Sequence, residues 1–142
     1  MKLAVLLVCL SFGSQANQTA LTMNDFVAAY QASMQPNAKE QLARVFTDMF
    51  SEDVVDVHVA YNVTVKGNDK MRNNILAYNK RMKTYKAQGE LVHWNNYFAA
   101  LILKESSSYL KQGKLKEYNG NTFLVMEFND VGKIKHIRRY HQ

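Results

Sequence analysis

The sequence predicts a single α+β domain, in which a curved antiparallel sheet wraps around helices to form a cone. Two observations support this prediction. Apolar residues recur at helical spacing over 22–50 and 67–88, whereas strand patterns fill most of the chain after residue 91. Strands that gather after the helices, rather than alternating with them, are typical of α+β folds. A length of 142 residues with 47% hydrophobic residues suits one core.

Two helices are predicted near the start of this domain. Thr22 and Asp25 match a capping box, and Phe26 and Tyr30 follow at helical spacing until Pro36 ends the first helix. A second helix is predicted to begin at Asn37. Its apolar stripe consists of Leu42, Val45, Phe46, Met49 and Phe50.

The next two predicted elements are a strand and a long helix. β-branched residues alternate over 54–61, which predicts a strand with Asp56 and His58 on the same face. Gly67 then precedes a long helix that Gly89 ends. The apolar stripe of that helix consists of Met71, Ile75, Tyr78, Met82 and Tyr85.

Three or four antiparallel strands are predicted to complete the chain. Residues 91–103 read as one long strand, 109–118 as a strand pair or a frayed hairpin, and 123–141 as a closing hairpin. Gly132 supplies the positive φ that the tight turn of this hairpin requires. A sheet that curves around a helix leaves a cone with one open end, where a small ligand would bind.

The first sixteen residues have the pattern of a secretory signal peptide. Lys2 precedes an apolar stretch over 3–12, and small residues occupy the cleavage positions over 14–16. We therefore expect export to a periplasm or the exterior, with residues 17–142 as the mature domain. Because Cys9 lies in the leader, that domain would contain no disulfide. No later segment has the ~20 apolar residues that a membrane span requires.

Basic residues are concentrated in two runs, and the net charge is +6. The solvated face of a helix is the simplest interpretation of the first run, and we expect no nucleic-acid partner; an anionic ligand or lipid is the alternative. The first run contains Lys66, Lys70, Arg72, Lys80, Arg81, Lys83 and Lys86, and the second contains Lys133, Lys135, Arg138 and Arg139.

Three segments in order resemble the nuclear-transport-factor-2-like superfamily, which includes SnoaL-like cyclases and ketosteroid isomerases. They are LARVFTDMFSEDVVDVHV, the helix that follows Gly67, and MEFNDVGKIKHIRRYH. The resemblance implies a cone-shaped α+β fold and a homodimer. It specifies fold more than function, since this superfamily contains isomerases, dehydratases, cyclases and binding modules.

The resemblance also suggests site residues. His58 falls where the isomerases place their catalytic base, Asp56 shares its strand face, and Tyr30 falls near their hydrogen-bonding tyrosine. An imidazole exchanges protons near neutral pH. Leu124, however, falls where the isomerases place a protonated acid, and a leucine cannot donate a hydrogen bond. Steroid isomerase chemistry as such is therefore disfavoured.

Further ligand-binding candidates lie on later strands. His93 and Trp94 point to opposite faces of the predicted 91–103 strand, and the pattern leaves open which face lines the pocket. Arg139 and His141 share a strand face with Ile137, which by the resemblance corresponds to a pocket-facing position in the isomerases. They would then lie at the pocket mouth, although a solvated strand end is the alternative. No metal or other cofactor is expected.

Three functions remain open from the sequence. The first is an exported domain that binds a small, mainly apolar or amphipathic molecule without catalysis. The second is an acid–base enzyme, either a cyclase, a dehydratase or an isomerase, that uses His58 with Tyr30, Asp56 or His93. The third is a protein-interaction module.

Overall fold

A computed structural model describes residues 21–142, which form three helices and one six-stranded sheet. The helices are α1 (Met23–Ser33), α2 (Glu40–Thr47) and α3 (Asn68–Asn79). The strands are β1 (Phe50–His58), β2 (Val63–Lys66), β3 (Met82–Trp94), β4 (Phe98–Lys111), β5 (Lys114–Phe128) and β6 (Ile134–His141), with one 3₁₀ turn at Val59–Tyr61. The predicted signal peptide over 1–16 lies outside the described residues.

The strands are arranged in the order β2-β1-β6-β5-β4-β3. All neighbours are antiparallel except β1 and β6, which run parallel. The predicted α+β class is confirmed, but the sheet is mixed and open rather than wholly antiparallel. Because the last strand lies beside the first, residues that are 83 apart in sequence become neighbours.

The core lies between the inner face of the sheet and the helices. Phe26, Phe46 and Phe50 form an aromatic group with ring centroids 5.1–6.3 Å apart. Leu124 and Met126 of β5 are fully buried against it. Full burial of each such side chain contributes about 1.5–3 kcal/mol, so this contact fixes the helices on the sheet.

The predictions for the first two helices are partly confirmed. Thr22 and Asp25 form the predicted capping box at the start of α1. Helix α2 begins at Glu40 rather than at Asn37, whose φ of 52° is outside the helical region. The predicted stripe of α2 is also rotated, because Val45 is 50% exposed while Ala43 and Phe46 are buried.

The prediction of one long helix up to Tyr85 is wrong. Helix α3 ends at Asn79, and both Met82 and Tyr85 belong to β3. A bulge shifts the pairing of β3 with β4 between Met82 and Thr84. The extra residue of a bulge lets positions three apart face the same side of a strand, which reproduces helical spacing in the sequence.

Gly89 lies within β3 and does not end a helix. A Cβ atom at this position would lie 2.7 Å from Cγ2 of Val27 and 3.3 Å from Sδ of Met23, so α1 approaches the strand where it lacks a side chain. The predicted single strand over 91–103 is also wrong. The side chain of Asn95 accepts hydrogen bonds from the backbone amides of Tyr97 and Phe98, which forms a turn that divides this segment into β3 and β4.

Both predicted hairpins are present. β4 and β5 turn through Gln112 and Gly113, which have φ values of 52° and 74°. β5 and β6 turn through 129–133, with Gly132 at a φ of 78°. Over residues 21–142, no helix is long and apolar enough to cross a bilayer.

Candidate functional site

Side chains from five strands and one helix form a polar cluster on the inner face of the sheet, near the end of β6. Alternation along each strand brings polar side chains to the same face in this region. The register places His58 beside Arg139 and Thr122 beside His141. The polar cluster consists of Tyr30, Asp56, His58, Tyr85, Glu105, Thr122, Arg139 and His141.

A buried ion pair forms the inner end of the polar cluster. Nε of Arg139 donates to Oδ1 of Asp56 at 2.8 Å, and the two residues are 5% and 3% exposed. Burial alone would raise the pKa of Asp56, but the guanidinium of Arg139 and the imidazole of His58 lower it to about 2. Asp56 therefore stays ionised and holds Arg139 in place.

Two stacked imidazoles lie next to this ion pair. Nε2 of His58 is 3.5 Å from Oδ2 of Asp56, and Nδ1 of His58 is 3.5 Å from Nε2 of His141. The rings are 5.7 Å apart and nearly parallel, at 16°. Burial and the neighbouring His58 lower the pKa of His141, which favours its neutral form.

Hydrogen bonds continue from His141 across the inner face of the sheet to β3, the strand at its edge. Nδ1 of His141 is 3.1 Å from Oγ1 of Thr122, which donates to Glu105 at 2.8 Å. The second carboxylate oxygen of Glu105 accepts from the hydroxyl of Tyr85 at 2.7 Å. Close contacts thus link Arg139 to Tyr85 through Asp56, two imidazoles, a hydroxyl and a carboxylate.

The carboxylate of Glu105 sets the donor and acceptor roles along these contacts. A carboxylate only accepts, so the hydroxyl hydrogen of Thr122 points to Glu105 and its oxygen accepts from Nδ1 of His141. Neutral His141 then presents a lone pair on Nε2 to Nδ1–H of His58. Nε2 of His58 lies 3.5 Å from Oδ2 of Asp56, so the carboxylate orients this imidazole.

Tyr30 of α1 covers the ion pair. Its ring lies 5.6 Å from the guanidinium carbon of Arg139 and meets the ring of Tyr85 edge-on, with the centroids 5.8 Å apart. Burial raises the pKa of Tyr30, and the negative charge of Glu105 adds to this effect. Tyr30 therefore stays protonated and supports the cluster through its ring.

The outer end of the cluster is lined by aromatic side chains. Tyr61 lies against His141 with the ring centroids 5.0 Å apart, and it is 62% exposed. The hydroxyl of Tyr118 lies over Gly120, where a Cβ atom would approach it to 2.4 Å. A shallow groove of about 860 Å³ reaches the cluster at Glu105 and Gly120, on the side of β3 and β4, and its lining includes neither His58 nor His141. His58 retains 28% side-chain exposure, so the imidazole pair is accessible from this end.

The structure brings together most of the residues singled out in the sequence, but not all. Tyr30, Asp56, His58, Arg139 and His141 meet in the polar cluster. The buried side chain of Ile137 lies on the same face of β6, two residues before Arg139.

His93 and Trp94 lie outside the cluster. His93 is exposed and stacks on Phe98 with centroids 4.5 Å apart. Nε1 of Trp94 donates to the carbonyl of Leu21, and its ring packs on Phe128. Both side chains are tied into contacts at the β3–β4 turn. A second cleft, of about 1090 Å³, is lined there by Trp94 and Phe128.

The sequence pattern gives no sign that Tyr85, Glu105 and Thr122 belong to the site. Tyr85 has the spacing of a helical stripe but lies in β3, and Glu105 and Thr122 become partners only through the pairing of β4 with β5. Leu124 is fully buried beneath the cluster and supplies no polar group. Within residues 21–142, no group of three or more histidine, cysteine or acidic residues is arranged to hold a metal ion.

Comparison with solved structures identifies the class of this fold. A protein described as a SnoaL-like polyketide cyclase from Shewanella denitrificans matches with a TM-score of 0.68 and 9% identity, over 84% of this chain and 86% of that one. A phenazine biosynthesis-related protein from Pseudomonas aeruginosa matches with a TM-score of 0.63 and 17% identity, over 84% and 80%.

A third match is a protein with a ketosteroid-isomerase-like fold from Catenulispora acidiphila, solved in complex with trimethylamine. Its TM-score is 0.60, with 12% identity over 84% of this chain and 86% of that one. No protein-family model and no curated protein matches the sequence. The chain therefore has the nuclear-transport-factor-2-like fold of the SnoaL-like proteins, which confirms the predicted resemblance at the level of fold.

Proposed function

We propose that this protein is an exported domain that binds a small, mainly apolar molecule at the polar cluster. The chain of polar contacts from Arg139 to Tyr85 carries the proposal, because it holds two imidazoles in defined positions at an accessible surface. Binding sites of this kind combine apolar walls with a few placed polar groups. The SnoaL-like neighbours in structure support the same reading.

The polar group of the ligand is a hydroxyl or a carbonyl. Asp56 already neutralises Arg139, so the ion pair offers no free charge to an anionic ligand. The accessible groups are the imidazole of His58 and the ring of Tyr61. A neutral oxygen can bond to an imidazole without leaving a buried charge unpaired.

Native mass spectrometry of the protein purified from its host tests this proposal. The wild type and the variant His93→Ala should retain a bound small molecule, whereas His58→Ala should release it. His93 is the matched control, because it is an exposed histidine outside the cluster. Retention of the molecule by His58→Ala, or its absence from the wild type, contradicts the proposal.

Acid–base catalysis is the second candidate. It is favoured by the contact between Asp56 and Nε2 of His58, since a carboxylate orients an imidazole for proton transfer. Exchange of the α-hydrogens of cyclic ketones in D₂O, followed by proton NMR, provides the test. Exchange that depends on His58 and not on His93 supports an enzyme; equal exchange in both variants excludes His58 as the base.

The proposal also includes export from the cytoplasm and assembly as a homodimer. The signal-peptide pattern over 1–16 supports a periplasmic or secreted location, and the family resemblance supports a homodimer. N-terminal sequencing of the exported protein should begin near Asn17, and analytical ultracentrifugation should give twice the chain mass. A retained leader would contradict export with cleavage, and a monomer would contradict the homodimer.

A further inference from the structure

The hairpin formed by β4 and β5 extends past the end of the neighbouring strand. β6 ends at His141, which pairs with Thr122, whereas β5 continues as far as Lys114. Residues 114–121 therefore pair with β4 but have almost no partner on the β6 side. The turn at Gln112 and Gly113 is of the tight two-residue type, so the hairpin presents a narrow, regular tip.

Six cationic side chains gather at this tip. The backbone amide of Leu110 donates to the carbonyl of Arg81 at 2.9 Å, which places the start of β3 beside the hairpin. Lys111 pairs with Lys114 across the turn, and Tyr109 pairs with Lys116. The basic tip consists of Lys80, Arg81, Lys83, Lys111, Lys114 and Lys116.

The six cationic side chains of the basic tip are exposed and form no ion pairs among the described residues. Glu117 is the one acidic residue in 80–83 and 109–117. Several like charges held together attract a polyanionic surface.

Apolar groups accompany these charges. Leu115 is 60% exposed, and alternation along β5 places its side chain on the hairpin face opposite to those of Lys114 and Lys116. Tyr78 is 52% exposed, and the guanidinium of Arg81 lies 5.0 Å from the centre of its ring. An exposed leucine flanked by lysines matches a membrane interface, where cations meet headgroup phosphates and a short apolar side chain enters the acyl boundary.

We propose that the basic tip docks on the anionic headgroup surface of a lipid bilayer. With the tip of the hairpin directed end-on at the bilayer, Lys114 and Lys116 contact phosphate groups from one face of the hairpin, and Leu115 enters the lipid layer from the other. A nucleic acid would account for the cations but not for the exposed Leu115, because the phosphate backbone offers no apolar layer. The basic tip contains no residue of the polar cluster, so this inference stands apart from the proposed ligand.

Co-sedimentation with lipid vesicles tests the proposal. The protein should bind vesicles of phosphatidylcholine mixed with phosphatidylglycerol at low salt, and not vesicles of phosphatidylcholine alone. Each surface cation contributes about fivefold to such binding, so K114Q/K116Q should weaken it about thirtyfold. K66Q/K135Q removes the same charge from two other exposed lysines and should leave binding nearly unchanged.

Leu115→Ser distinguishes a membrane from a nucleic acid. It should weaken vesicle binding severalfold while leaving binding to a double-stranded oligonucleotide unchanged. Circular dichroism and thermal melts first establish that each variant is folded. The proposal is overturned if anionic vesicles are not bound, if both double variants weaken binding equally, or if Leu115→Ser has no effect.

Discussion

At the scale of single residues, Asp56 and Arg139 determine what the site can do. A charge removed from water is tolerated only with a partner, and the two side chains are 4% and 6% exposed. Their contact fixes Asp56 where it also meets His58. The ion pair therefore positions the accessible imidazole through a group that a ligand does not touch.

Replacing only Arg139 or only Asp56 should lower the free energy of unfolding far more than replacing both residues together. Arg139→Met leaves the Asp56 carboxylate buried without its counter-charge and should lower the free energy of unfolding by about 3–5 kcal/mol. The double variant D56L/R139M should recover most of that loss. Urea denaturation measures both values.

The exposed ion pair of Arg44 with Glu40 provides the control, since its side chains are 57% and 56% exposed. Arg44→Met should change the free energy of unfolding by less than about 1 kcal/mol. A D56L/R139M variant as unstable as the sum of its two single variants contradicts the coupling.

The pKa of Asp56 makes a prediction about acid stability. It is lowered from 3.8 to about 2, so the folded state favours the ionised form. The resulting stabilisation, about 2 kcal/mol, is complete above the unfolded pKa and is lost as the pH falls from about 4 to about 2. Carbon-13 NMR of the Asp56 carboxyl group should show a midpoint near 2; a midpoint near 4 contradicts the ion pair.

At the scale of elements, the packing of α1 on β3 depends on Gly89. The helix lies so close that a Cβ atom would meet Val27 at 2.7 Å. A β-branched valine on a helix has little rotamer freedom with which to move away. Gly89 therefore determines how near α1, and with it Tyr30, lies to the sheet.

Gly89→Ala should lower the free energy of unfolding by about 1–3 kcal/mol because of overpacking. In a Val27→Ala background the same substitution should be nearly neutral, since the obstructing methyl groups are absent. Chemical denaturation of the four proteins of this cycle gives the coupling. An equal loss in both backgrounds would show that the helix is not in close contact.

The elements that the sequence predicts well are those with local signals. The capping box at Thr22 and the turn glycine Gly132 act over a few residues, and both occur as predicted. The start of β3 has the sequence pattern of a helix, because a bulge gives Met82 and Tyr85 a helical spacing. The bulge depends on pairing with β4, which no local pattern reveals.

At the scale of the whole molecule, the polar cluster depends on topology. β1 lies parallel to β6, so Asp56 meets Arg139 although 83 residues separate them. The family resemblance suggested His58 and Arg139 from sequence alone. Glu105 and Thr122 could not be identified in that way, because their role depends on the register between β4 and β5.

The fold alone does not determine whether the protein binds a ligand or catalyses a reaction, so the residues of the site must decide this. Proteins of this fold include ones described as cyclases and others with only a fold assignment, and their identities to this chain are low. Here the distinctive feature is the imidazole pair at the accessible end of a buried ion pair. The central claim is that this pair contacts the ligand.

The four histidines of the chain allow the most direct test of that claim. Long-range proton–nitrogen NMR spectra report each imidazole separately while small phenols, ketones and alcohols are added. His58 and His141 should shift together, whereas His93 and His136 should not change. Equal shifts at all four rings, or shifts confined to His93 and His136, would contradict a ligand site at the polar cluster.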